Sequence, residues 1–506
     1  MLLTARNLWH LIAITCACAL MTHAREADDP FVRVSGPDFI YQGNPFRFAG
    51  TNNYYLMYAS QFMIDDALKA AADNRMRVVR MWASLEIGNA DGSNSVHGAQ
   101  GGVYFQFWNG SEPAYNDNGS GLLRLDYALF RAGRLGLKVI LPLVNNWKDF
   151  GGMDQYVRWR GGRYHEDFYN DPLIRQWFKN WIAHLLNRVN RFTGIRYKDD
   201  PTIMMWELAN EPRCKGSGTY PTASSCTTLT LLDWARDISA FLKAEDPNHL
   251  ISAGDEGFFC NPGSPDWTEN CRDGVDTVAL ASLPAIDALS FHLYPGSWGR
   301  TVQWGTDWIR RHAAAAKTLG KPAVLGEFGF EDQNARLAVY RTWMDAAFES
   351  GISGALFWML AGLRDDLTPY PDYDGFRVLC PEPVCLLISN YGRSLETSEP
   401  LVFAPVAGSY RATTRPNTAV SMDVAANSVA YVNSTLVPSS IDLDPAREGQ
   451  QTVANLAGGQ FELQPNGAVR FTPARDFVGD VPASFTIRDN VDAVSNVATL
   501  LVTVRR

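Results

Sequence analysis

Between Phe31 and Leu379 the chain repeats one pattern, a short apolar run followed by a longer stretch whose apolar residues recur at helical spacing. Eight such runs stand out: Phe46–Gly50, Val78–Trp82, Val139–Val144, Ile203–Leu208, Leu250–Ala253, Ala288–Leu293, Ala323–Phe328 and Ala355–Met359. Buried strands alternating with helices make a parallel sheet, because a parallel neighbour is reached only through a crossover long enough to hold a helix. Eight of them imply a closed (β/α)8 TIM barrel, an α/β fold whose reactive groups collect at the C-terminal ends of the strands. One helix can be read in detail: Asp171 is suited to cap it, Pro172 to open it, and Leu173, Trp177, Trp181, Leu185 and Val189 follow at intervals of four. That stripe reads as core. The Gly-, Asn-, Tyr- and Trp-rich segments from Ile87 to Ser120 and from Phe150 to Asp171 read as loops that shape a cleft.

After about Pro400 the pattern changes. The last hundred residues hold no Trp, Cys, His or Lys, and Tyr410 and Tyr431 are the only tyrosines. The runs Gly467–Thr472, Ser484–Arg488 and Val497–Val504 alternate apolar and polar residues between Asn, Gly, Pro and Asp turns, as half-buried strands do. A small all-β sandwich is therefore expected over residues 400–506, after a catalytic domain over 25–399. NGAVRFTPARDFVGDVPASFTIRD followed by SNVATLLVTV resembles the immunoglobulin-like or cadherin-like modules of exported bacterial proteins. So few aromatic rings favour a spacer or protein-contact role over sugar binding.

Residues 1–24 read as a secretory signal peptide: Arg6, an apolar stretch from Leu8 to Met21, and small residues before a cleavage site after Ala24. Cys16 and Cys18 would leave with it. The other six cysteines lie in close pairs, Cys214 with Cys226, Cys260 with Cys271 and Cys380 with Cys385, and in a secreted, extracellular protein local disulfides are the simplest reading. Their spacing lacks CxxC pairs, which argues against zinc. A formal net charge of −9 argues against nucleic acid or an anionic membrane surface as partner. A neutral ligand fits better.

The chemistry concentrates at the strand ends. WELANEPRC, residues 206–214, puts Asn210 and Glu211 just after the fourth run, and LGEFG puts Glu327 in the seventh. A strand-end glutamate alone can also be a solvated residue or a helix N-terminal charge. Two of them, after strands four and seven, face each other across a barrel mouth and supply the paired carboxylates of glycoside hydrolysis, about 5–5.5 Å apart for retention and further apart for inversion. Arg80 in RVVRMW and Tyr294 in FHLYP can bond to Glu327 and keep it ionised, and Asn210 can bind a sugar 2-hydroxyl. His292 and Trp358, each an ordinary core residue if alone, arrive at neighbouring strand ends, where Trp358 offers a face to a pyranose ring.

These motifs identify a resemblance. GTNNYYLM, LVNNWKDFGGMDQYVRW, NRFTGIRYKDDPTIMMWELANEPRC, DPNHLISAGDEGFF, FHLYPGSWG and KPAVLGEFGF together resemble glycoside hydrolase family 5, and within it the endo-β-1,4-mannanases, over nearly all of residues 30–380. The resemblance implies Glu211 as acid/base and Glu327 as nucleophile of a retaining reaction on internal bonds of mannan, glucomannan or galactomannan. Arg80, Trp82, Asn145, Trp147, Asn210, Arg213, His292, Tyr294 and Trp358 would surround the sugar. Arg213 resembles the family's arginine on the leaving-group side; an ion pair with a neighbouring loop acid is the alternative. Leu-Ala before NEP, where other members often have Leu-Met, changes none of these roles. No cofactor or metal is implied, and the chain is expected to act as a monomer on a β-mannan polysaccharide. Competing readings are a β-1,4-glucanase on the same frame and a non-catalytic polysaccharide-binding protein.

Overall fold

The computed structural model describes residues 29–397, 404–430 and 434–506. The expected signal peptide and Tyr431 lie outside them. The eight apolar runs are eight parallel strands of one sheet: β1 (Phe48–Asn52), β2 (Met76–Arg80), β3 (Lys138–Pro142), β4 (Ile203–Glu207), β5 (Leu250–Ser252), β6 (Leu289–Leu293), β7 (Ala323–Phe328) and β8 (Gly354–Phe357). They are bonded in the order β5-β4-β3-β2-β1-β8-β7-β6. The ring closes between β5 and β6, where Asp287 N–H donates to Ile251 O at 2.7 Å, Ile251 N–H to the Asp287 carboxylate at 2.8 Å and Gly254 N–H to Ser290 Oγ at 2.9 Å. Part of this seam is stitched by side chains.

Each strand is followed by a helix: α1 (Gln61–Asp73), α2 (Leu123–Arg134), α3 (Pro172–Asn187), α4 (Thr228–Glu245), α5 (Thr277–Ala281), α6 (Val302–Leu319), α7 (Arg336–Ser350) and α8 (Pro383–Thr397). Helix α3 begins as its sequence dictates, with the Asp171 carboxylate accepting from the amides of Leu173 and Ile174 and with Pro172 in first place. The stripe of four is only half right. Steps of four advance about 40° too far around a helix of 3.6 residues per turn, so Trp177, Trp181 and Leu185 are buried while Leu173 is exposed and Val189 lies exposed beyond the helix. Ile174, Phe178, Ile182 and Leu186 complete the buried face.

The strand Phe48–Asn52 starts two residues later than the apolar run implies, because Phe46 belongs to a different element. An N-terminal three-stranded sheet, Arg33–Ser35, Asp38–Tyr41 and Asn44–Pro45, brings Val32, Phe39 and Phe46 into one cluster with Val78, Ile140, Met205, Val324 and Leu356, and so floors the barrel. The opposite end is left for a site. The segment Ile87–Ser120 contains small strands of its own, and Phe150–Asp171 is largely two short helices, Gly152–Arg160 and Asp167–Asn170. Disulfides join Cys214 to Cys226, Cys260 to Cys271 and Cys380 to Cys385. Among the described residues no helix is long and apolar enough to cross a membrane.

The C-terminal residues fold as β9 (Tyr410–Thr414), β10 (Val420–Met422), β11 (Leu436–Asp442), β12 (Val453–Leu456), β13 (Gly459–Leu463), β14 (Val469–Pro473), β15 (Gly479–Asp489) and β16 (Ala498–Val504). They make two four-stranded sheets, β9-β16-β15-β11 and β10-β14-β13-β12, with their own core around Phe461, Phe471, Phe485 and Leu500. The expected sandwich is present.

Between β4 and β5, Asp246 is fully buried and accepts from Trp206 Nε1 at 2.8 Å, while His249 Nδ1 lies 2.6 Å away. Burial raises its pKa, but these hydrogen bonds and the charge of His249 bring it below the usual carboxylate value. A depressed carboxylate stabilises the fold above its unfolded pKa and loses that contribution as pH falls through the folded value. Asp246→Asn should therefore cost about 2 kcal/mol at neutral pH, the scale of a charge-assisted bond, and progressively less under acid. Urea unfolding at pH 7 and pH 3 measures this; an equal cost at both would refute it.

Candidate active site

Glu211 and Glu327 reach the mouth by different local structures. Asn210 and Glu211 lie in the turn after β4, which hangs between neighbouring strands: Asn210 N–H donates to Val144 O at 2.7 Å and Glu211 N–H to Gly254 O at 2.8 Å. Glu211 has φ +53°, a left-handed backbone that a glutamate adopts only at a cost of the order of 1 kcal/mol or more. A side chain at Gly254, itself at φ +77°, would collide with Ala209 O. Glu327 is instead inside β7, directly paired with His292 of β6.

The two carboxylates and His292 each place an atom within 4.8 Å of the others. Glu211 Oε2 accepts from Trp147 Nε1 at 2.5 Å, and His292 Nδ1 lies 2.7 Å from its Oε1. Glu327 accepts from Arg80 Nη1 at 2.6 Å and from the Tyr294 hydroxyl at 2.7 Å.

Arg80 is the hub beneath. It is wholly buried, and besides Glu327 it donates to Glu207 at 2.7 Å, Asn52 at 3.1 Å and Asn210 at 2.8 Å. Asn210 Nδ2 continues to Asn145 Oδ1 at 3.1 Å. The same fork orients the candidate nucleophile and the amide beside the candidate acid.

The electrostatics partly correct the sequence reading. Burial raises the Glu211 pKa, but the hydrogen bond and charge of His292, the charge of Arg213 and the Trp147 N–H bring it down to about 2. Glu327 ends above the usual value despite Arg80 and Tyr294: burial raises it, and the charge of Glu211 adds to burial against His292, Arg80 and the tyrosine. Burial lowers His292, but the two carboxylates outweigh it and raise its pKa. The three groups titrate as one cluster.

Above them opens a cavity of about 800 Å³. Trp82, Asn145, Trp147, Asn210, Glu211, Tyr294, Glu327 and Trp358 all line it. Arg80 and His292, expected around the sugar, do not; both are fully buried and act on the carboxylates from behind. Arg213 is also withdrawn. It forms ion pairs with Glu256 at 3.0 Å and Asp273 at 2.9 Å, with its guanidinium 4.6 Å from the Trp147 ring centre. It therefore supports the tryptophan that bonds to Glu211.

The sequence reading missed one wall. Tyr54, Tyr58, Phe150, Tyr370, Tyr373, Asp374 and Phe376 line the cavity as well. Tyr54 stacks on Trp358 with ring centres 5.8 Å apart, both Tyr54 and Tyr58 hydroxyls meet that of Tyr370, and Asp374 accepts from Trp358 Nε1 at 2.7 Å. The signals were the paired tyrosines of GTNNYYLM and the Asp- and Tyr-rich segment TPYPDYDGF. Glu256 was missed too. It faces the cavity, and burial, with the charges of Glu211, Asp273 and Glu327 adding, raises its pKa well above normal despite Arg213.

Known proteins are similar to this chain in sequence and fold. Residues 403–504 match the bacterial Ig domain family. Mannan endo-1,4-β-mannosidase A of Podospora anserina is 35% identical over 370 residues, 72% of this chain and 88% of that protein. The crystal structure of an endo-1,4-β-mannanase from Rhizomucor miehei superimposes with a TM-score of 0.68 at 38% identity, covering 72% of this chain and 99% of that one. The endo-β-1,4-mannanase structure from Thermotoga petrophila gives a TM-score of 0.65 at 34% identity, over 92% of this chain and 99% of that one. Residues 29–354 match the family model for GH family 5 β-mannosidase-like proteins, and with this barrel the chain belongs to that family.

Proposed function

We propose that the chain is an exported endo-β-1,4-mannanase that cleaves internal bonds of mannan, glucomannan or galactomannan with retention, Glu211 serving as acid/base and Glu327 as nucleophile. The observation that carries this is the pair of carboxylates within 4.8 Å across the barrel mouth. An oxygen of each lies that near the other, a closeness that favours direct attack by Glu327 over attack by an intervening water. The names of the relatives support mannan as substrate, and three disulfides support an oxidising destination. The catalytic unit is taken to run to about residue 399 and the module from 400, a boundary outside the described residues; the module's sandwich has a core of its own, although Val406 and Val429 join the barrel's.

In the first step a Glu327 oxygen bonds to the anomeric carbon while the bond to the leaving oxygen breaks, and that oxygen takes the proton from Glu211. Attack neutralises Glu327, the largest charge supporting protonated His292, so the His292 proton 2.7 Å from Glu211 becomes easier to release as the leaving group needs it. In the second step water attacks the same carbon and frees Glu327, and its proton goes to Glu211 and on to His292, restoring the starting state. Two inversions give net retention. Trp358 and Tyr54 present stacked apolar faces to the sugars, and Asn210 presents its amide to the 2-hydroxyl.

Purified protein should release reducing sugar from galactomannan and leave carboxymethylcellulose intact, the fresh product carrying the β configuration by NMR. Equal rates on both polymers would make it a general β-glucanase, and α product would rule out retention. Glu211→Ala should lower turnover of mannan by roughly 10³-fold, the usual worth of a general acid, while sparing substrates with a good leaving group far more.

A further inference from the structure

Helix α7, the first helix after the nucleophile strand, starts without a cap of its own. Its N-cap residue is Ala335, which supplies no side-chain acceptor, although first-turn amides need partners. The amide of Leu337 is instead taken by Asn427 Oδ1 at 3.2 Å, and Asn427 belongs to the C-terminal module. Asn427 is 2% exposed and fully engaged, donating from Nδ2 to Gln333 O at 3.2 Å and Ser409 O at 2.8 Å. Beside it, Asn334 forms two bonds with the Arg411 backbone, accepting its amide at 2.8 Å and donating to its carbonyl at 3.0 Å. Val406 and Val429 of the module are buried in the barrel's core cluster, not the sandwich's.

The segment so held reaches the cleft in one step. Arg336 folds back to Phe330 O at 2.7 Å and Glu331 O at 3.2 Å, and reaches across to Arg377 O at 3.3 Å and to Gly375 O. Gln333 Nε2 donates to Asp372 at 3.3 Å. The segment 370–378 carries Asp374, which fixes Trp358, and Phe376, which packs edge-on against Tyr294 at 5.5 Å.

We propose that the C-terminal module is an intramolecular brace for the sugar cleft, in which Asn427 caps α7 and, together with Asn334, acts as a positioning residue for the rim segment 370–378. The inference rests on reading that cleft as the mannan-cleaving site. It ties the module chiefly to substrate binding, because strand pairing and Arg80 hold Glu327 apart from the rim, which reaches it only through Phe376 and Tyr294.

The test uses the full chain carrying Asn427→Ala, with Asn334→Ala as the milder variant should the first fail to fold. In Asn427→Ala, KM for a soluble manno-oligosaccharide should rise roughly fivefold, the scale of one lost helix cap, with kcat within about twofold. Amide hydrogen exchange should quicken in residues 329–338 and 370–378, and Asn334→Ala should shift both readouts in the same direction by less. Unchanged KM with unchanged exchange in those segments overturns the brace. So does faster exchange confined to the module, which would mark a purely local role. Exchange is read without substrate, so a failed brace shows there, whereas a failed mannan assignment shows as an inactive parent protein.

Discussion

Glu327→Ala should fold normally and lose turnover of mannan by on the order of 10⁴-fold or more, as expected when a covalent nucleophile is removed. Folding should survive because the substitution takes away one partner of Arg80 and leaves Glu207 to balance its charge. The loss should fall on kcat, since aromatic rings and amides, not this carboxylate, supply most of the cavity wall. Azide separates the two roles. With an activated aryl mannoside, azide in the space vacated by Glu327 should attack from the nucleophile's side and give an α-mannosyl azide in a single inversion. In Glu211→Ala it should intercept the covalent intermediate and give the β-azide. Appreciable mannan turnover by Glu327→Ala, or the opposite azide stereochemistry, would reverse or remove the assignments.

Replacing Arg80 should do more damage to the fold than any other single change at the site. Its guanidinium is wholly buried and balances Glu207, also wholly buried, while bonding to Asn52 and Asn210. Arg80→Met leaves Glu207 an uncompensated buried charge, a situation that costs about 3–5 kcal/mol. Arg80→Lys keeps the charge but loses the planar fork that serves four partners at once, so it should recover part of the stability and little of the activity. Thermal unfolding and kcat on the same preparations test both statements. An Arg80→Met protein that melts with the parent would refute the role given to the buried Arg80–Glu207 pair.

The barrel is legible in the sequence because strands buried on both faces are written as continuous apolar runs. Limits drift where one run serves two elements, as at Phe46, which belongs to the barrel floor although it adjoins β1. Glu211 and Glu327 are visible because acids at the ends of such runs are uncommon. Glu207 has the same signature and was passed over: only the pairing of strands brings it to Arg80, and register is not written in one strand alone. The wall of Tyr54, Tyr58, Tyr370 and Tyr373 has no periodicity to reveal it, since its segments take their shape from contacts with each other. Asn427 is more hidden still. Nothing in VAANS tells that its amide caps a helix in the other domain.

His292 and Glu327 stand opposite each other on adjacent, hydrogen-bonded strands. Their spacing is a property of the sheet, and an insertion or deletion in any rim segment leaves it unchanged. A slip of one residue by either strand would turn that strand's side chain out of the mouth. The proposed nucleophile is thus placed by the sheet, whereas the tyrosines around the cavity are placed by rim segments of their own.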